Sequence, residues 1–457
     1  SVAMKATSGD LVRVLRAHPR ASGAELCRQL GGINRSTLMR LAAQLGLEIV
    51  RRGGSRRTRY ALRRALRGRN ESLPLYRIDP QGDGHLTAWL DLTAPGGCAL
   101  AFVEPFVWPL DDAMRDGWFE SLPYPVLDMR FQGFLGRNFA HRHWRLLGVA
   151  EVLDSWTDDD VVHVLANLGY DQPGDLILGE AAYQLHLDAR QRQESRLIAE
   201  QQLAQAYPAL AEQALSLGEA GSSAGGEFPK FTVQRIRHGE PTAVIVKFSG
   251  AGNSPAERRW ADLLVCEHLA LETLATESGI RAARSEIHRF AGRTFLEVQR
   301  FDRAGAHGRL PVCTLGSLNA ALLGKAGMAW PQLAEALRLR GWLAEAAVRQ
   351  VELLWWFGRL IANSDMHEGN LAFHPGLTLA PAYDMLPMLY APQRGGEIPP
   401  RTYTPALPLP QEKTAWRQAA QTARAYWARC AGDERISAEF RVVCAGNERQ
   451  LAAYAGT

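Results

Sequence analysis

The chain has 457 residues, of which 46% are hydrophobic and 22% charged. That composition excludes a disordered, fibrous or collagen-like chain and leaves room for two or three domains. The formal net charge is only +4, but residues 1–70 hold 16 Lys+Arg against 3 Asp+Glu, so this head carries +13 and the rest −9. A basic head on an acidic body points to a polyanion partner for the head. Five of the 52 basic residues are lysines, Lys5, Lys230, Lys247, Lys325 and Lys413, which makes each one conspicuous. The six cysteines have no C-x-x-C spacing, which argues against a zinc ribbon and fits a reducing compartment. No run of about 18 uncharged apolar residues is present, and the N-terminal stretch lacks a signal-peptide pattern. The expectation is a cytoplasmic protein without a membrane partner.

From Ser8 the head reads as three short helices. Leu11, Val12, Val14 and Leu15 form an apolar face that ends before Pro19. Ser22 and Glu25 have capping-box spacing, and the helix they open stops at Gly31-Gly32. Asn34 caps a third helix through Leu45. Ile49–Arg52 and Arg57–Leu62 then read as a hairpin around Gly53-Gly54-Ser55. Three helices and a basic hairpin over residues 5–68 resemble a winged helix-turn-helix. In that reading Arg35, Ser36, Thr37 and Arg40 face a major groove. The wing arginines Arg51, Arg52, Arg56, Arg57 and Arg59 lie over phosphates, where charge gives affinity rather than sequence choice. DNA is the expected partner, bound by one copy or by a homodimer.

Residues 71–185 read as a β-containing subdomain, with strand candidates at His85–Leu90 and Ala99–Val107. His141 and His143 could ligate a metal if they lay on a strand, although surface histidines explain them more simply. Thr157-Asp158-Asp159-Asp160 reads as a capped helix start. Gln191–Leu217 reads as helical and largely exposed.

The segment over 186–310 opens on a small-residue loop, Gly218–Gly226, whose backbone could approach phosphates closely. Strands at Phe231–Val233 and Ala243–Val246 follow, the second ending in Lys247. A helix over Trp260–Leu274 carries Glu267, a candidate partner for that lysine. Over 311–457, Asp365 and Asn370 are five residues apart, the spacing of a kinase catalytic loop. A hairpin at Leu371–Leu379 would bring Asp384 back as a second metal-binding acid. Trp355-Trp356-Phe357 reads as the buried face of the helix that presents the loop.

These blocks together resemble the HipA-like serine/threonine protein kinases of type II toxin–antitoxin systems. They are Ser222-Ser223-Ala224-Gly225, the helix around Glu267, Arg300-Phe301-Asp302-Arg303, the loop from Asn363 to Asn370 and Pro381-Ala382-Tyr383-Asp384. The resemblance implies an α+β, multidomain chain: a mixed N-terminal portion and an all-helical C-terminal portion behind the fused head. It implies ATP and Mg²⁺ as cofactors and a protein target whose phosphorylation arrests growth. It places Ser222, Ser223, Ala224, Gly225, Gly226, Lys247, Glu267, His367, Asn370 and Asp384 around the nucleotide. Asp365 would be the catalytic base, Asn370 and Asp384 the metal ligands, and Ser222 or Ser223 the autophosphorylation site. His367 is expected to shape the loop. The glycine loop is one residue longer than the family pattern, Gly369 stands where the family has lysine, and Gln299 stands where it has glutamate. Two other readings remain open: a transcriptional regulator whose kinase-like body senses nucleotide, and a metal-dependent DNase using Asp365, His367 and Asp384.

Overall fold

The computed structural model of the protein describes residues 4–192, 196–217 and 227–455. It divides into two compact units. The first gathers residues up to 78 with 84–130 and 156–189; the second gathers 79–83, 131–155 and the chain from 190 onward.

The first unit begins with α1 (Ser8–Ala17), β1 (Ala21–Ser22), α2 (Gly23–Gln29) and α3 (Arg35–Leu45), then β2 (Ile49–Arg52) and β3 (Arg59–Leu62). The helices start where capping chemistry places them. Ser22 accepts the Glu25 N–H at 3.2 Å and Asn34 accepts the Thr37 N–H at 2.8 Å. Leu11, Leu15, Leu26, Leu38, Leu41 and Tyr60 close a core beneath an antiparallel sheet of order β1-β3-β2. A second, five-stranded sheet has the order β7-β6-β5-β4-β8, built from β4 (Leu73–Ile78), β5 (Gly84–Leu92), β6 (Cys98–Phe102), β7 (Trp118–Phe119) and β8 (Leu176–Leu178). β6 stops earlier than the apolar run suggests, because Pro105 and Pro109 interrupt the ladder beyond Phe102. Helices α4 (Asp112–Arg115) and α5 (Tyr124–Leu127) follow in this unit. Next in the chain comes α6 (Gly133–Leu147), which belongs to the second unit, then α7 (Asp158–Leu168) and α8 (Glu180–Arg192). The expected capped start of α7 is a capping box between Thr157 and Asp160.

The head is bound to the five-stranded sheet by a buried charge cluster. The Asp91 carboxylate receives Arg52, Arg63 and Ser72. Val50 and Ala61 of the head pack against Ala99 and Trp118 beside it. Arg64 pairs with Asp159 and Arg67 with Asp160, each at 3.0 Å.

The second unit contains an antiparallel sheet of order β11-β12-β10-β9: β9 (Lys230–Arg237), β10 (Glu240–Phe248), β11 (Ser285–Phe290) and β12 (Arg293–Gln299). One face packs on α9 (Leu203–Ser216) and on Phe134 of α6. Phe231, Val244, Val246, Phe248 and Phe295 form that face, each contributing roughly 1.5–3 kcal/mol by burial. α9 is thus not the largely exposed helix the sequence suggests, since Leu203, Tyr207, Ala211 and Ala214 are buried along one stripe. Behind the sheet α10 (Pro255–Thr273) carries Glu267. The short pair β13 (Arg303–Ala304) and β14 (Gly308–Arg309) leads to β15 (Cys313–Thr314), α11 (Leu315–Leu318), α12 (Trp330–Leu339) and α13 (Glu345–Leu360). The hairpin β16 (Ala372–His374) and β17 (Thr378–Leu379) follows, then α14 (Lys413–Gly432) and α15 (Ala438–Tyr454). The expectation of an all-helical C-terminal portion is not met. β15 pairs with β16 to make a three-stranded sheet, β16 following directly on the Asn363–Asn370 loop.

His141 and His143 lie on α6 rather than on a strand. Two residues apart on a helix they diverge, and His141 Nδ1 sits 3.0 Å from Glu151 instead. Among the described residues no helix is long and apolar enough to cross a membrane.

Candidate functional site

Alternation along β10 sends Val244, Val246 and Phe248 into the core under α9 and Lys247 to the opposite face, where it is 7% exposed. There its ammonium meets Glu267, itself 1% exposed, at 2.8 and 3.1 Å. It also donates to Asp384 Oδ1 at 2.5 Å. Burial alone would strip the lysine of its charge, but Asp384 and Glu267 outweigh it and hold the lysine pKa above its ordinary value. Burial likewise opposes the Asp384 charge, yet Lys247 and then Lys230 keep that carboxyl below the usual range. Lys230 lies directly across from Lys247 in the β9–β10 register.

The loop after α13 supplies the remaining groups. Ala362 and Asp384 both have left-handed backbones, at φ +62° and +54°, strain of about 1–3 kcal/mol each that the surroundings must hold in place. Asn363 does much of the holding. Its Oδ1 accepts the Asp365 N–H at 3.2 Å and its Nδ2 reaches the Asp384 carbonyl at 3.4 Å. Asn370 donates to the Asp365 carbonyl at 2.9 Å, closing the loop across the five-residue interval. His367 Nδ1 accepts the Gly369 N–H at 3.1 Å, the loop-shaping contact expected of it. Tyr383 OH donates to the Gly369 carbonyl at 2.5 Å. The Asp365 carboxyl is pushed up by burial, with His367 opposing and Asp384 and Glu227 reinforcing.

The structure therefore brings together Lys247, Glu267, Asp365, His367, Asn370 and Asp384. Ser222, Ser223, Ala224, Gly225 and Gly226 lie outside the described residues. Sequence reasoning missed Asn363, although it stands inside the same block, and Gly358 on α13. A Cβ at Gly358 would come within 2.4 Å of the Met366 thioether, so the glycine lets the tip of that side chain lie close against this helix.

The nuclease arrangement does not form. Among the described residues, the one set of three His, Cys, Asp or Glu ligand atoms within 4.8 Å of one another is Glu286, His288 and Glu297. That set is on the α9 side of the sheet, where the Arg235 guanidinium already binds Glu297 at 2.9 and 3.0 Å and Tyr207 OH binds it at 2.5 Å. A buried guanidinium occupies the place a cation would take.

In the head, Arg35, Ser36 and Arg40 are exposed on α3, and Thr37 is half-buried. Arg51, Arg56, Arg57 and Arg59 are exposed in and around the hairpin. Arg57 Nη2 is 3.5 Å from Asp116, and Arg59 donates to the Arg20 carbonyl at 3.0 Å. Arg52 corrects the expectation. Its side chain is 16% exposed and turned inward onto Asp91 and the Leu100 carbonyl, so it is not placed over phosphates.

The sheet, the helical body and the Lys247 site are those of a HipA-like fold, and the chain belongs to the HipA-like toxin family. Residues 222–449 match the HipA-like C-terminal domain, and residues 69–187 match the middle domain of YjjJ-like toxins. Its relative Toxin YjjJ of Escherichia coli (strain K12) is 37% identical over 439 residues, spanning 94% of this chain and 95% of that protein. A chain from the Shewanella oneidensis MR-1 toxin–antitoxin complex of HipA, HipB and operator DNA shares the fold. It superposes with a TM-score of 0.51 at 15% identity, covering 84% of this chain and 96% of that one.

Proposed function

We propose that this chain is an ATP-dependent serine/threonine protein kinase of the HipA toxin type, which phosphorylates a protein target to arrest growth. The observation that carries the reading is the single ammonium of Lys247 shared between Glu267 and Asp384, with Asp365 and Asn370 tied together beside it. Lys247 steadies the ATP phosphates and Glu267 aims it. Asp365 accepts the proton of a serine or threonine hydroxyl as the oxygen bonds to the γ-phosphorus; the bond to the bridging oxygen breaks and ADP leaves. Burial raises the Asp365 pKa, which suits a proton acceptor.

Asn370 and Asp384 are the residues that would hold Mg²⁺. Asn370 commits its amide nitrogen to the Asp365 carbonyl, which leaves its amide oxygen as the ligand atom. The Asp384 side chain is part-exposed. Hard oxygen donors of this kind fit Mg²⁺, which when bound neutralises charge on the phosphates. Ser222 or Ser223 is the self-regulating phosphorylation site: a phosphate adds about −2 charge to a loop that otherwise receives ATP.

The head binds DNA, with Arg35, Ser36, Thr37 and Arg40 toward bases and Arg51, Arg56, Arg57 and Arg59 toward phosphates. Its fixed attachment through Asp91 also supports the second reading, a DNA-bound regulator that senses nucleotide. Transfer of ³²P from ATP by wild type and by Asp365→Ala separates the two. A kinase labels protein in the wild type only; a sensor labels nothing, and its DNA affinity changes with ATP in both.

A further inference from the structure

Helix α6 begins without a cap of its own. Gln132 makes no side-chain bond to the first turn, and that turn holds no acid. The missing acceptor comes from 93 residues away: Glu227 Oε2 takes the Phe134 N–H at 3.1 Å. The same oxygen meets Arg137 Nη2 at 3.3 Å, and Oε1 receives Lys230 Nζ at 3.0 Å. Gly133 makes this approach possible. It has φ +63°, and a Cβ there would stand 2.6 Å from Glu227 Oε1. Phe134, 1% exposed, sits in the core under the sheet, so the start of α6 packs on β9 and β10.

We propose that Glu227 is a positioning residue for nucleotide binding, fastening Lys230 and the start of β9 to the N-terminus of α6. Glu227–Lys230 is a second glutamate–lysine pair, set beside Glu267–Lys247 by the cross-strand register of the two lysines. This inference rests on the kinase reading above. It gives α6 a task. The helix lies in the same unit as β9 and β10, and Glu227 ties its first turn to Lys230.

The test is equilibrium binding of MgATP to the full chain by calorimetry, with thermal unfolding measured in parallel, for wild type, Glu227→Gln and Gly133→Ala. Glutamine keeps an acceptor for the Phe134 N–H but gives up the charge that holds Lys230. Glu227→Gln is expected to weaken MgATP binding about tenfold, the effect of one charge-assisted contact, with little change in melting temperature. Gly133→Ala leaves the carboxylate in the chain but occupies its place, so it is expected to weaken binding in the same direction. The double variant is expected to be no more than about twofold weaker than the worse single one, because both changes break one contact. Unchanged affinity in Glu227→Gln overturns the proposal and leaves Glu227 a helix cap alone. Tighter binding overturns it as well, by making the carboxylate a competitor for Lys230. A wild type that binds no ATP overturns the kinase reading itself and this inference with it, a result distinct from the other two.

Discussion

Replacing Asp91 by asparagine tests how firmly the head is built into the first unit. The carboxylate side chain is 5% exposed and receives two largely covered arginines, Arg52 and Arg63, together with Ser72. Asparagine keeps the shape but turns an N–H₂ group toward one guanidinium and leaves both arginines without a countercharge. Removing one partner of a buried ion pair costs about 3–5 kcal/mol, because the remaining charge stays desolvated. In a unit of this size that corresponds to a fall in melting temperature of about 10 °C. The effect also has a pH signature. Burial pushes the Asp91 pKa up, but Ser72, Arg63 and Arg52 outweigh it and hold the folded value below the ordinary 3.8. A depressed carboxylate contributes stability that is fully present above its unfolded pKa and is lost as pH falls through the folded one. The gap between wild type and Asp91→Asn should therefore be constant around neutral pH and close in acid. Differential scanning calorimetry of both proteins across that range reads it directly. A neutral-pH melting temperature within about 2 °C of wild type would refute the reasoning.

Three further outcomes are expected. Glu267→Gln leaves Lys247 to Asp384 alone and should weaken MgATP binding by about ten- to a hundredfold by calorimetry; unchanged affinity would remove Glu267 from the site. Arg51→Ala and Arg56→Ala should each lower the slope of DNA affinity against salt by about one, while Arg52→Ala leaves the slope alone and lowers the melting temperature instead. Gly358→Ala displaces the Met366 thioether and should lower the phosphotransfer rate about two- to tenfold with ATP affinity retained, and adding Met366→Ala should recover part of that rate.

The parts of the molecule that were legible in the sequence are those set by local chemistry. Ser22, Asn34 and Thr157 start their helices by bonding their own first turns, so a few residues of sequence suffice. The Asp365–Asn370 interval is equally local, and the hairpin that returns Asp384 has its turn residues in plain order. The contacts that escaped depend on partners distant in the chain. Arg51 and Arg52 look alike in a strand, and only Asp91, 39 residues on, shows which one turns inward. α9 packs through Leu203, Tyr207, Ala211 and Ala214, a stripe half alanine, so its buried face is weak in hydropathy and reads as surface. Glu227 looks like loop composition until α6 is placed beside it. The added strand β15 pairs across 58 residues, and nothing in Cys313-Thr314 alone marks it as β structure.

On the kinase reading, Lys247, Asp365, Asn370 and Asp384 together transfer phosphate from ATP. Intact-mass spectrometry after incubation with MgATP, followed by peptide mapping, tests it without knowledge of the protein substrate. The kinase assignment predicts one added phosphate in wild type, on Ser222 or Ser223, and none in Asp365→Ala at unchanged ATP affinity. A wild type that binds MgATP yet gains no phosphate, on itself or on any protein in a cell extract, would contradict it.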